Sequence, residues 1–145
     1  TDSEMTRFSI TMEQALDFII DCTINGKSSE IYVPKLKAYS ILDVKDALFD
    51  LIKKTDFDVV GIRPGEKLHE TLINSEEIRN SWDLENKFMI SNPSKNDEEI
   101  VRSYEQNIKK IENIDEYSSK IAERHTKDEL IEIIEKSNLL NHKDD

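Results

Sequence analysis

The stretch RPGEKLHE, residues 63–70, gathers two cations, two carboxylates and an imidazole within eight residues. Pro64 biases Arg63 towards extended backbone, and Gly65 permits a turn that a β-carbon would block. A loop of this kind presents Arg63 outward from a strand end. Ligands bind there in open α/β sheets, and a planar guanidinium fork suits phosphate oxygens better than an ammonium does. The competing reading is a charged turn closed by a surface salt bridge. A second candidate is Arg7, set between apolar neighbours in MTRF, residues 5–8; its alternative is a side chain that snorkels from the edge of the core.

Other chemistries fail on residue type and spacing. The three glycines stand at 26, 61 and 65, so neither a G-x-G-x-x-G fingerprint nor a phosphate-binding P-loop can be written. None of the tyrosines at 32, 39, 104 and 117 has a lysine four positions on, so the Tyr-x-x-x-Lys pair of short-chain dehydrogenases is missing as well. We therefore expect no cofactor site, no catalytic residue and no hydride transfer in this chain alone. His69, His125 and His142 are too scattered for a metal site and read as surface or supporting residues, while Cys22 reads as a buried, inert thiol.

These side chains need elements to position them. Thr11 with Gln14 forms a capping box for a helix over 11–25, with Met12, Ala15, Leu16, Ile19 and Ile20 on one face and Gly26 at its end. EIYVPK, residues 30–35, has strand composition until Pro34. Ser40 caps a second helix to about residue 54, along which Val44, Ala47, Leu48 and Leu51 fall at helical spacing. DVVGIR, residues 58–63, reads as a short strand closed by Pro64-Gly65. Helix, strand, helix, strand predicts an α/β unit with parallel pairing. Beyond it, Asn74 starts a short third helix, residues 87–90 read as a last edge strand, and 91–97 as a polar linker. Val101, Tyr104, Ile108 and Ile111 then share one helical stripe, and Thr126 with Glu129 opens a final helix carrying Leu130, Ile133 and Ile134.

Composition narrows the partners. With 31 acidic and 20 basic residues the formal net charge is −11, which argues against nucleic acid or anionic lipid, although a small anion in a locally basic pocket stays compatible. No run of 18 apolar residues occurs in these residues, the opening TDSEMTRF has neither the basic flank nor the apolar stretch of a signal peptide, and a single cysteine leads us to expect a reducing, cytoplasmic setting. The chain opens on Thr1 rather than methionine, which we read as a piece of a longer protein.

Taken in order, TDSEMTRF, the helix after it, EIYVPK and GIRPGEKLHE resemble the C-terminal half of the UDP-N-acetylglucosamine 4,6-dehydratases, extended short-chain dehydrogenases of surface-sugar synthesis. The likeness covers residues 1 to about 90, resumes at DEYSS, residues 115–119, and is nearest to the dehydratases that also invert the fifth sugar carbon. Residues 91–114 depart from the pattern, being more charged and more helical.

The resemblance implies a C-terminal lobe of short parallel strands and packed helices (residues 1–92) with a helical C-terminal extension (93–145). An N-terminal Rossmann lobe, absent from these residues, would bind NADP and hold the catalytic groups, in a homo-oligomeric enzyme. By matching motifs, Arg63 binds the diphosphate of the UDP-sugar with Arg7 nearby, Glu66 faces the ribose hydroxyls, and Thr1 and Ser119 line the substrate cleft. Two other readings stay open: a UDP-sugar 4-epimerase with the same nucleotide clamp, and a non-catalytic module in which the acidic tail from residue 97 binds a partner.

Overall fold

The computed structural model describes residues 2–104 and 107–137. In chain order its elements are β1 (Thr6–Phe8), α1 (Met12–Asn25), β2 (Ile31–Pro34), β3 (Ala38–Ser40), α2 (Ile41–Leu51), β4 (Thr71–Ile73), a 3-10 turn (Glu77–Asn80), β5 (Ser81–Asp83), β6 (Lys87–Ile90), α3 (Asp97–Ser103), β7 (Lys109–Lys110), β8 (Tyr117–Ser118) and α4 (Lys127–Lys136). They divide into two compact units that interleave along the chain.

The first unit is drawn from the stretch ending at Ser9, from Lys37–Glu70 and from the stretch beginning at Ser119. β1 and β3 pair antiparallel, with Thr6 opposite Ser40 and Phe8 opposite Ala38. The expected caps form: Ser40 and Asp43 at α2, and Thr126 and Glu129 at α4, each bond the other's backbone reciprocally. Such a cap satisfies N–H groups that the first helical turn leaves unpaired and is worth about 1 kcal/mol. α2 and α4 then pack through Ala47, Leu130 and Ile134, flanked by Val44, Leu48, Leu51 and Ile131. Residues spaced three and four apart share a helix face, so this contact follows from the apolar spacing itself.

The second unit comprises Ile10–Leu36 and Thr71–Ser118. Its four-stranded sheet runs β2-β6-β5-β7, and β4 pairs separately with β8. Trp82, Leu84, Met89, Ile100 and Ile108 form the core, with Tyr32 and Tyr104 packed on it. The Thr11–Gln14 capping box forms at α1.

The α/β class holds, and several details differ from expectation. Among the described residues every strand pairing is antiparallel rather than parallel. Among the described residues the one isolated parallel bridge is Ala38 with Arg124. Alternation along a chain sets the order of elements and not their partners: β2 is followed by a helix but takes β6 as its neighbour, Ile31 opposite Ile90. β6, expected at an edge, is central and buried at all four positions because β2 and β5 flank it. Residues 58–63 form no ladder, and Val59, Val60 and Ile62 are exposed. A 3-10 turn takes the place of a third α-helix; Asn74 stands ahead of its N-cap, Glu76, and its Oδ1 accepts from the N–H groups of Glu76 and Glu77. The stripe from Val101 to Ile111 breaks at Tyr104, where α3 ends; Ile108 enters the Trp82 core from outside the helix. Cys22 is half-buried, on a helix with no buried residue.

Candidate functional site

Arg63 to Glu66 form a turn closed by the Glu66 N–H donating to the Arg63 carbonyl at 3.0 Å. Gly65, with φ +86°, occupies the left-handed region that Pro-Gly turns need at their third position. The Glu66 side chain reaches back, and its Oε2 accepts from the Arg63 N–H at 3.0 Å. The turn is thus locked from both backbone and side chain, while Arg63 itself is exposed.

The chain that follows is clamped. β1 takes hold first: the Thr6 N–H donates to the Leu68 carbonyl at 3.0 Å. Arg7 adds its guanidinium, Nη1 donating to the carbonyls of Thr6 (2.7 Å) and Leu68 (3.3 Å), Nη2 facing the Met5 sulfur, and Nε lying 3.6 Å from the Glu70 carboxylate. From the other side Ser119 accepts the Glu70 N–H on its hydroxyl at 2.9 Å and donates its own N–H to the Glu70 carbonyl at 2.7 Å. Its Oγ also lies 2.7 Å from the Thr6 hydroxyl, which lies 2.8 Å from His69 Nδ1. Thr6 and Ser119 are buried, so the bond between their hydroxyls is shielded from competing water, while His69 is half-buried at its end.

Arg63 and Glu66 therefore share one turn. Arg7 and Ser119 meet on the segment Leu68–Glu70 that carries that turn, Arg7 as a many-handed brace and Ser119 as a buried clip. Thr1 lies outside the described residues. Thr6 and His69 were missed as partners, and their separation of 63 positions offers no local signal.

At the start of α4, Lys37 bridges Glu123 (3.1 Å) and Glu129 (2.7 Å). The Lys37 ammonium, together with the Thr126 N–H, holds the Glu129 carboxyl down to about 2. Glu129 also lies 3.3 Å from His125 Nδ1. Among the described residues no cluster of three or more His, Cys, Asp or Glu side chains is arranged to hold a metal, and no helix is long and apolar enough to cross a membrane.

The model of the polysaccharide biosynthesis protein family matches residues 1–92. The inverting UDP-N-acetylglucosamine 4,6-dehydratase of Campylobacter jejuni is 35% identical over 91 residues, covering 63% of this chain and 26% of that protein. A UDP-glucose 4-epimerase of Rickettsia rickettsii is 27% identical over 135 residues, 92% of this chain and 39% of that protein. The X-ray structure of Pen from Bacillus thuringiensis superposes with a TM-score of 0.72 at 25% identity, over 96% of this chain and 39% of that one. The chain thus spans between about a quarter and two fifths of the length of these relatives. It belongs to the polysaccharide biosynthesis protein family, as a C-terminal part of an extended short-chain dehydrogenase/reductase.

Proposed function

We propose that residues 1–92 are the UDP-sugar-binding lobe of a nucleotide-sugar 4,6-dehydratase, acting on UDP-N-acetylglucosamine with inversion at the fifth carbon, and that residues 93–145 are its C-terminal extension. The observation that carries this reading is the locked turn at Arg63–Glu66 on a braced segment. It leaves an exposed guanidinium for a diphosphate on a backbone that pays little further ordering entropy on binding. Glu66 keeps one oxygen on the Arg63 N–H and offers the other to the ribose, Arg7 supports the diphosphate from β1, and Ser119, fully buried, serves the site by holding Glu70 from behind. The similarity to an inverting dehydratase supports the substrate and the reaction class.

The residues of this chain do not fit a dinucleotide. Gly26, Gly61 and Gly65 cannot form the phosphate-binding fingerprint. NADP and the catalytic groups accordingly belong to a Rossmann lobe outside these residues, in a cytoplasmic, homo-oligomeric enzyme, and the 145-residue polypeptide alone is inactive. A second reading, a UDP-sugar 4-epimerase, is favoured by the rickettsial relative, whose similarity runs through the C-terminal residues as well. Product analysis on the full polypeptide with UDP-N-acetylglucosamine separates the two. A 4-keto-6-deoxy product bears out the dehydratase, a 4-epimer the epimerase, and no turnover of any UDP-sugar overturns both.

A further inference from the structure

The hydroxyls of Thr6 and Ser119 favour one order of protons. Ser119 Oγ accepts the Glu70 N–H at 2.9 Å, and its own proton has to go elsewhere. Two oxygens of Thr6 lie in reach, the hydroxyl at 2.7 Å and the carbonyl at 3.2 Å. Hydroxyl donors keep within about 3.0 Å of an oxygen acceptor. This carbonyl, moreover, already takes Arg7 Nη1 at 2.7 Å. The Ser119 proton therefore lies on the Thr6 hydroxyl.

Thr6 Oγ1 must then give its own proton away. Among the described residues its remaining hydrogen-bond neighbour is His69 Nδ1, at 2.8 Å. A ring nitrogen that accepts carries no hydrogen, so the imidazole holds its proton on Nε2. The bonds run one way, from the Glu70 N–H through Ser119 and Thr6 to the imidazole. The opposite order, with hydrogen on Nδ1, would leave the Ser119 proton only the 3.2 Å contact.

Both hydroxyls are buried, where a donor without an acceptor is costly, and His69 is the acceptor that ends the run. The imidazole sits on the segment Leu68–Glu70 that β1 and Ser119 also grip by their backbones. Only Lys67 stands between that segment and the turn at Arg63–Glu66. A displacement of the segment thus reaches the exposed guanidinium through a single residue.

We propose that His69, as the Nε2–H tautomer, is a positioning residue for the Arg63–Glu66 turn. By taking the Thr6 proton at Nδ1 it fixes the segment that carries the guanidinium, and it acts through Thr6 rather than on the ligand. This role rests on the sugar-nucleotide reading of residues 63–70.

The test has a spectroscopic arm and a binding arm. In the full polypeptide with isotope-labelled histidine, NMR of the ring nitrogens reads the His69 tautomer, the signal being identified by its loss in His69→Asn; a bare Nδ1 is expected. UDP is then titrated against the variants. Asparagine places its side-chain oxygen where Nδ1 stands, whereas glutamine reaches the place of Nε2. His69→Gln and Thr6→Val each weaken UDP binding roughly threefold to tenfold, as loss of a hydrogen bond in the brace requires. The double variant binds no more weakly than Thr6→Val alone, because the bond made by His69 has already gone. His69→Asn stays within about twofold of wild type.

Hydrogen on Nδ1 overturns the proposal. So do losses that multiply in the double variant, and so does glutamine binding UDP as wild type does while asparagine does not, which puts Nε2 on the ligand. A wild type that binds no UDP overturns the reading of residues 63–70 and the positioning role with it. UDP binding that is indifferent to His69→Gln overturns the positioning role alone.

Discussion

Ser119→Ala removes one buried hydroxyl that makes three contacts, yet its expected cost is well below three hydrogen bonds. The Thr6 carbonyl keeps the Arg7 Nη1 donor at 2.7 Å, and the Thr6 hydroxyl keeps His69 at 2.8 Å. The Glu70 N–H, which donates to Ser119 Oγ at 2.9 Å, is the group left without that partner. An amide stranded in this way costs about 1–3 kcal/mol. The Ser119 N–H still donates to the Glu70 carbonyl at 2.7 Å, so the clamp loosens without coming apart. The urea midpoint of the full polypeptide should fall accordingly, with the m-value unchanged. Hydrogen exchange at the Glu70 amide should accelerate roughly five- to a hundredfold. UDP binding should weaken, though less than on loss of Arg63, because the turn keeps its own two hydrogen bonds. Unchanged exchange at Glu70 together with an unchanged midpoint would refute the view that Ser119 holds this segment.

Leu130→Ala empties the α2–α4 contact beside Ala47 and Ile134 and should cost about 2–5 kcal/mol in denaturant titration. Glu129 titrates at about 2 when folded, against 4.5 as its ordinary value, so its contribution is complete above the higher value and is lost as pH falls through the lower one. The stability gap between wild type and Glu129→Gln should therefore close between those two values, and a gap that widens on acidification contradicts the clamp. The isolated 145-residue polypeptide, with Phe57, Val59, Val60 and Ile62 exposed, should bind a hydrophobic dye or self-associate. A monomeric, dye-negative chain would speak instead for an independent domain.

Local interactions made part of this structure legible in its sequence. The caps at Thr11, Ser40 and Thr126 join residues three apart, and the apolar faces of α2 and α4 recur at helical spacing, so both are written where they act. Strand partnership is not local. β2 finds β6 only after α2 and the whole RPGEKLHE stretch have been made, and no pattern within either strand names the other. Tyr104 kept the apolar period of a longer helix, yet its hydroxyl goes to Glu30 and its N–H to the Val101 carbonyl, which ends α3. At the candidate site Arg-Pro-Gly-Glu spelled out its own turn. The brace behind it joins Thr6 to Ser119 across 113 positions and is visible only once the chain is folded.

The most direct test of the sugar-nucleotide reading is a pair of titrations, UDP and NADP, against the full polypeptide carrying Arg63→Ala and Arg63→Lys. A charge-assisted contact to the diphosphate is worth about 1.5–3 kcal/mol, so the alanine variant should bind UDP roughly tenfold to a hundredfold more weakly. Lysine keeps the charge but loses the planar fork and should fall in between, with NADP affinity unchanged in both. If Arg63→Ala leaves UDP affinity untouched while lowering thermal stability, Arg63 is a structural charge on a surface turn and the assignment of residues 63–70 as the diphosphate site is wrong.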